Sequence, residues 1–504
     1  MKILINDTPK TSNSFNQFLI LSILLAGFIL RVYDLGSESI WYDEGASLNV
    51  AVQKINNIFF QKDKSPPLYY LFLHFWIKLF GSSEFSIRLP SALFGTASIW
   101  FIYLNGKILI NRKAALTGAL ILSLNKYHIF YSQEARVYEL TALLTLLSIH
   151  FFIRLNLLKK NWGALGYLFF SSLLMYSHIY GLFIIFAQNI YILTTYKYQN
   201  RTKELFGWGM LQFCLLILFL PWLNVFLSQA NSVVNKGFWI SKPGLVTLIN
   251  SFSALTGSKY LFLLYLIILL TFIFTLWQNR ASFSLSNFFM LFKQGQNKID
   301  INRSSSLYLL FLWLFIPIVL PFAISNVSTP IFHLRYLIVS SPALYLLLGG
   351  IIVYYKYQYS YRIITALIIL ISVGVLLNYY SNPQKEQWRD IAALIDNEAK
   401  PNDLVLFNSG RCINRVFNYY SKGQKFVKKS FPVNTRDINM NNIKKLKNIT
   451  TDRKRVWLIL SHSGKQSYLI NEEMKKEFLI KRKEDFIGIK LFLYEKKISH
   501  ESKG

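Results

Sequence analysis

The sequence predicts an α-helical polytopic membrane protein that ends in a small soluble α/β domain, and two observations carry that prediction. Of 504 residues, 53% are hydrophobic and only 16% charged, with a mean hydropathy of +0.32, which is too apolar for one water-soluble core. Beyond Ser381 the long apolar runs stop and a lysine-rich stretch continues. The expected division is therefore a membrane part, 1–380, and a soluble part, 381–504.

Apolar runs of about 20 residues, the length that crosses a bilayer, begin near Phe15, Ile87, Ala114, Ala135, Trp162, Gly181, Leu205, Tyr260, Ser306, His333 and Arg362. That makes about eleven spans. The first, Phe18 to Val32, has no small-residue cleavage site and reads as a retained anchor. Pro66 to Phe80 is apolar but short, opens on two prolines and is interrupted by His74 and Lys78. Topology decides how to read it. With this run lying in the interface, the basic loops at Arg112-Lys113, Arg154 to Lys160, Lys197 to Lys203, Arg280 to Arg303 and Lys356 to Arg362 all share the N-terminal side. The positive-inside rule makes that side cytoplasmic. An interfacial helix in an outer segment 34–86 follows, with the tail extracytoplasmic as well.

This topology accounts for much of the formal net charge of +30, and no nucleic-acid-reading motif accompanies it, so nucleic acid is not an expected partner. Cys214 and Cys412, the only cysteines, lie in an apolar run and a polar region, so no disulfide framework or cysteine metal site is expected. In the tail, Leu404 to Phe407, Val456 to Leu460 and Ile487 to Tyr494 read as strands and Tyr468 to Phe478 as a helix. The alternation predicts a largely parallel sheet. Neither a P-loop nor a G-x-G-x-x-G is present.

Four polar features fall on the outer side. Asp43-Glu44, beside Trp41-Tyr42, can supply a general base, or it is a solvated acidic loop. Tyr131 to Tyr138 holds Glu134 and Arg136; if helical, it puts Tyr131, Glu134 and Tyr138 on one face. The alternative is a capped interfacial turn in an aromatic belt. Ser177-His178 before Gly181 is either a hydrogen-bonding site or a tight turn. His333-Leu334-Arg335-Tyr336 offers a guanidinium for a phosphate, or a snorkelling arginine.

Trp41-Tyr42-Asp43-Glu44, Pro66-Pro67-Leu68-Tyr69-Tyr70, Arg88-Leu89-Pro90-Ser91, Tyr131 to Tyr138 and Arg335-Tyr336 resemble, in order, the motifs of the GT-C membrane glycosyltransferases. The nearest branch holds the protein O-mannosyltransferases and the aminoarabinose transferases of lipid A. The resemblance covers about the first 200 residues and returns at Arg335 and at Glu386-Gln387-Trp388-Arg389. It implies many transmembrane helices with amphipathic helices in the first outer loop. It also implies a polyprenyl-phosphate-linked sugar donor, a glycolipid, glycan or protein acceptor on the extracytoplasmic face, and inversion at the anomeric carbon.

By the same resemblance Asp43 is the catalytic base and Glu44 its paired acid. The substrate-binding candidates are Glu134, Arg136, Tyr138, Arg88, His178, His333, Arg335 and Tyr336, with Arg335 on the lipid phosphate. Neither a cofactor nor an obligatory metal is expected. Location in a prokaryotic plasma membrane follows by analogy. The competing classes are a transporter or flippase, and a polymerase or ligase, of lipid-linked glycans. A transporter tends to carry ionisable groups near mid-membrane, whereas here they gather at outer ends.

Overall fold

The computed structural model describes residues 11–60, 65–198, 201–236, 239–278, 303–355, 358–408, 412–423, 425–432, 440–461 and 467–497. In chain order the helices up to the first basic loop are α1 (Thr11–Val32), α2 (Tyr42–Ala51), α3 (Ile55–Phe59), α4 (Leu68–Phe80) and α5 (Glu84–Leu109). There follow α6 (Arg112–Leu124), α7 (Lys126–Ser132), α8 (Tyr138–Asn156), α9 (Gly163–Ser177), α10 (Tyr180–Tyr198) and α11 (Thr202–Lys236). Next come α12 (Leu245–Leu255), α13 (Lys259–Gln278), α14 (Arg303–Val327), a 3-10 turn (Leu334–Val339), α15 (Ser341–Tyr354) and α16 (Gln358–Ser381). The tail runs α17 (Trp388–Glu398), β1 (Leu404–Phe407), α18 (Cys412–Tyr420), β2 (Val427–Ser430), α19 (Met440–Thr450), β3 (Arg455–Ser461), α20 (Ser467–Glu477), β4 (Phe478–Phe486) and β5 (Ile489–Lys496).

The chain divides into two compact units. The first comprises Met1–Leu35, Lys54–Leu79 and Ile87–Tyr380; the second comprises Gly36–Gln53, Phe80–Ser86 and Ser381–Gly504. Sequence order joins the acidic loop to the membrane part, whereas packing groups most of it with the tail.

In the first unit, six described helices (α1, α5, α8, α11, α14 and α16) are long and apolar enough to cross a membrane. The pair α12 and α13, bent by 94°, makes a seventh candidate if taken as one span. α4 has 13 residues and so rises only about 20 Å, short of the roughly 30 Å of hydrocarbon. α8 is the central helix, with 83% of its apolar window buried. α6 and α15 approach closely because Gly349 lies against the Ala114 carbonyl, where a Cβ would stand 2.5 Å from the oxygen. At the bend, Gly257 adopts φ +92, and the Leu255 carbonyl freed at the end of α12 accepts from Asn125 Nδ2 (3.0 Å) and the Tyr345 hydroxyl (2.7 Å).

The structure selects between two readings left open above. The run 131–138 is not one helix: α7 ends at Ser132 and α8 starts at Tyr138. Gln133 explains the break, since its Nε2 turns away to the carbonyls of Arg31 (3.3 Å) and Tyr33 (2.7 Å), capping α1. Further along, α11 continues to Lys236, and Leu245–Leu255 forms α12. The basic loop from Arg280 to Arg303 lies, apart from Arg303, outside the described residues.

The second unit is built on a five-stranded sheet of order β2-β1-β3-β5-β4. β1 pairs in parallel with β2 and β3, while β5 pairs antiparallel with β3 and β4. The sheet is therefore mixed rather than largely parallel. The reason is a hairpin: Ile487 and Gly488, the latter at φ +71, make a two-residue turn from β4 to β5. β4 escapes the hydrophobic pattern because KRKED at its middle is an exposed, charged edge. Leu404, Leu406, Val456, Leu458, Ile470, Met474, Phe478 and Tyr494 form the core.

Candidate active site

The 3-10 turn Leu334–Val339 presents two of the candidate residues. Its N-cap, His333, accepts through Nδ1 from both the backbone N–H and the Nε of Arg335, each at 3.3 Å. A ring nitrogen that accepts twice is unprotonated, so the imidazole serves as a neutral bracket for the guanidinium. Arg335 Nη1 donates to the Tyr138 hydroxyl at 3.1 Å. Its guanidinium lies 5.3 Å from the Trp239 ring and 5.8 Å from that of Tyr138, and Arg136 lies 5.9 Å from the same Tyr138 ring. Two arginines thus flank one tyrosine.

Aromatic rings close the group. Tyr336 packs on His178 at 4.5 Å and on Tyr180 at 5.3 Å, and Tyr131 meets Tyr138 edge-on at 5.0 Å. His178 sits between α9 and α10, outside either helix. Burial, then the nearby Arg136 and Arg335, push its pKa down to about 3, so it is neutral at physiological pH. Three chain regions, 131–138, 177–180 and 333–336, therefore converge on a cationic, aromatic patch. Chemically, such a patch can bind an anion through its guanidinium groups and a sugar face through its rings.

Glu134 is buried, 1% exposed, in the turn between α7 and α8, where its carbonyl accepts from the Arg136 N–H at 2.8 Å. Arg88 is equally buried, and its Nη1 donates to the Leu35 carbonyl at 3.0 Å. Trp239 was not anticipated; a lone tryptophan in a polar segment looks like a membrane-interface anchor.

In the second unit, Asp43 and Glu44 occupy the first turn of α2, where the helix dipole favours carboxylates. Their environments differ. Glu44 is fully buried; Lys385 Nζ donates to its Oε1 at 3.1 Å, and the Trp41 N–H donates to its Oε2 at 3.4 Å. Asp43 is only half-buried. The segment 384–389 holds this loop in place. Glu386 Oε2 accepts from the Tyr42 N–H (3.1 Å) and Trp388 Nε1 (2.6 Å), while its Oε1 accepts from Ser461 Oγ (3.1 Å). Arg389 donates to Glu84 Oε1 at 2.6 Å and to the Ser37 carbonyl at 2.8 Å, and the Tyr420 hydroxyl donates to the same Glu84 oxygen at 2.9 Å. Lys385 and Glu84 were not anticipated, because charged residues in polar segments far apart in sequence carry no pairing signal.

Among the described residues, no group of three or more His, Cys, Asp or Glu side chains is arranged to hold a metal ion.

Residues 64–224 match the sequence profile of the dolichyl-phosphate-mannose-protein mannosyltransferases. The fold matches solved structures over nearly its whole length. Apo ArnT from Cupriavidus metallidurans aligns at TM-score 0.59 and 11% identity, covering 96% of this chain and 98% of that one. The same protein bound to undecaprenyl phosphate aligns at 0.56, again with 11% identity and coverage of 96% and 98%. AglB, an oligosaccharyltransferase from Archaeoglobus fulgidus in complex with an inhibitory peptide and a dolichol-phosphate, aligns at 0.53 and 11% identity, covering 97% and 75%. No curated protein matches the sequence significantly. The fold is thus that of the GT-C type, and residues 64–224 are similar to a membrane glycosyltransferase profile.

Proposed function

We propose that this protein transfers a sugar from a polyprenyl-phosphate-linked donor to a glycolipid, glycan or protein acceptor on the extracytoplasmic face, with inversion and with Asp43 as general base. The observation that carries this reading is the pair Arg136 and Arg335 about Tyr138. A sugar phosphodiester gains a negative charge as it becomes a phosphomonoester, and guanidinium groups stabilise that gain. The ligands in the ArnT and AglB structures, undecaprenyl phosphate and a dolichol-phosphate, support a lipid phosphate in this role.

In this reaction the Asp43 carboxylate takes the acceptor hydroxyl proton, and the acceptor oxygen attacks the anomeric carbon. The bond from that carbon to the phosphate oxygen breaks, and its electron pair leaves on the lipid phosphate. Glu44, locked to Lys385, sets the first turn of α2 and so the direction of Asp43. Arg335 takes the phosphate with Arg136, while Tyr138, His178 and Tyr336 pack on the sugar, and Glu134 and Arg88 support the surrounding turns. Donor activation resides in the phosphate ester, so the transfer step needs no nucleotide. The topology that fits the basic loops has a cytoplasmic N-terminus and an extracytoplasmic tail, and a plasma-membrane location follows by analogy with the resembled branch.

The test is sugar transfer from a panel of polyprenyl-phosphate sugars in membrane vesicles, with Asp43→Asn at matched expression. Loss of a general base lowers turnover by about 10²- to 10⁴-fold, and donor binding is expected to persist. Unimpaired transfer by Asp43→Asn removes that residue from the role. Donor movement across the bilayer with no transfer by either protein favours the transporter class.

A further inference from the structure

Two consecutive side chains of α7 hold the 3-10 turn that carries Arg335, one at each end. The Tyr127 hydroxyl donates to the Leu334 carbonyl at 2.9 Å, at the start of the turn. His128 Nε2 lies 2.7 Å from Ser341 Oγ, just beyond its end, and that hydroxyl lies 2.7 Å from the Ile338 carbonyl. The other face of the same imidazole meets α8, with Nδ1 2.9 Å from Glu139 Oε1. Glu139 directly follows Tyr138, whose hydroxyl receives Arg335 Nη1. The contacts close a ring: Arg335 to Tyr138, along the chain to Glu139, across His128 to Ser341, and back through the turn.

On the α7 side of the ring, His128, Glu139 and Ser341 are all fully buried. Behind it stands a second cation. Arg31, also fully buried, donates to Ser132 Oγ (3.0 Å) and to the carbonyls of Gly27 (2.9 Å) and Ser123 (3.2 Å), and its charge acts on Glu139. Groups like these are costly to keep at membrane depth. A 3-10 segment is itself weakly hydrogen-bonded and usually short, so it does not hold a guanidinium to the roughly 0.5 Å that productive contact requires. An external brace is therefore expected, and α7 supplies it.

We propose that Tyr127 and His128 are positioning residues for Arg335, acting through the turn Leu334–Val339 and leaned upon by Glu139 and Arg31. This rests on the assignment of Arg335 to the lipid phosphate. It assigns a role to two residues of α7, Tyr127 and His128, that the proposed substrate contacts do not use.

The experiment is a binding titration of a polyprenyl monophosphate onto the full chain in detergent micelles. It compares wild type, Arg335→Ala, Tyr127→Phe, Ser341→Ala and the two double variants with Arg335→Ala. Losing a charged hydrogen-bond donor weakens binding about tenfold or more, and losing one neutral hydroxyl about fivefold. Tyr127→Phe and Ser341→Ala are expected to weaken binding in the wild-type background and to change nothing further once Arg335 is alanine, because they act through it. Equal weakening in both backgrounds, or none in either, overturns the positioning role. Full-strength binding by Arg335→Ala overturns the phosphate assignment itself, and the positioning role with it. Each single hydroxyl deletion is a separate probe, so if one variant does not fold the other still decides; thermal unfolding identifies which is folded.

Discussion

Lys385 Nζ donates to Glu44 Oε1 at 3.1 Å, joining side chains 341 positions apart that are 3% and 0% exposed. This buried ion pair anchors the acidic loop to the start of the C-terminal sheet domain. Removing one partner of such a pair strands a charge and costs about 3–5 kcal/mol, whereas removing both costs far less. Lys385→Met is therefore expected to lower the thermal unfolding midpoint of the solubilised protein sharply. Lys385→Met combined with Glu44→Gln should recover most of that loss. A double variant no better than the single would show that the pair is not a coupled unit.

The hydroxyl of Tyr138 holds Arg335 while its ring flanks the guanidinium. Tyr138→Phe keeps the ring and deletes the hydrogen bond, worth about 1 kcal/mol. The expected result is a donor KM raised about fivefold, with acceptor KM unchanged. Steady-state transfer assays varying each substrate in turn would check this, and an effect confined to acceptor KM would contradict the placement.

His178 has a folded pKa of about 3 against an ordinary value of 6.5, through burial and the charges of Arg136 and Arg335. Between those pH values the unfolded chain carries a proton that the folded chain refuses. Its contribution to stability is therefore fully present above pH 6.5 and is lost as pH falls toward 3. Unfolding midpoints measured at pH 7.5 and pH 4.5 should differ less in His178→Asn than in wild type. In histidine-labelled protein, its ring resonances should not titrate between pH 5 and 8.

Gly45 faces Val416 where α2 meets α18: a Cβ there would stand 2.2 Å from Val416 Cγ2. Alanine favours a helix over glycine by about 1 kcal/mol, but overpacking costs roughly 1–3 kcal/mol. The clash is expected to win. Gly45→Ala should lower the unfolding midpoint, and adding Val416→Ala should restore it. Stabilisation by Gly45→Ala alone would mean that the two helices part easily.

The membrane class, the small α/β tail and the GT-C fold were legible in the sequence, because hydropathy and motif order are local properties. Arg335, Arg136, Tyr138, His178, His333 and Tyr336 were readable as candidates for the same reason: polar and aromatic residues at the ends of apolar runs stand out against their surroundings. The hairpin partner β4 was not, since a charged edge strand lacks the alternating apolar pattern.

Composition and order thus determined by themselves that this chain enters membranes and which short motifs bear charge. Only the tertiary structure decided that α7 and α8 part at Gln133, that Glu44 is neutralised by Lys385, and that Tyr127 and His128 brace the turn of Arg335. The physical reason is range. Hydrophobic periodicity is written in neighbouring residues, whereas a buried hydrogen bond or ion pair needs two groups that only the packed backbone brings within about 3 Å.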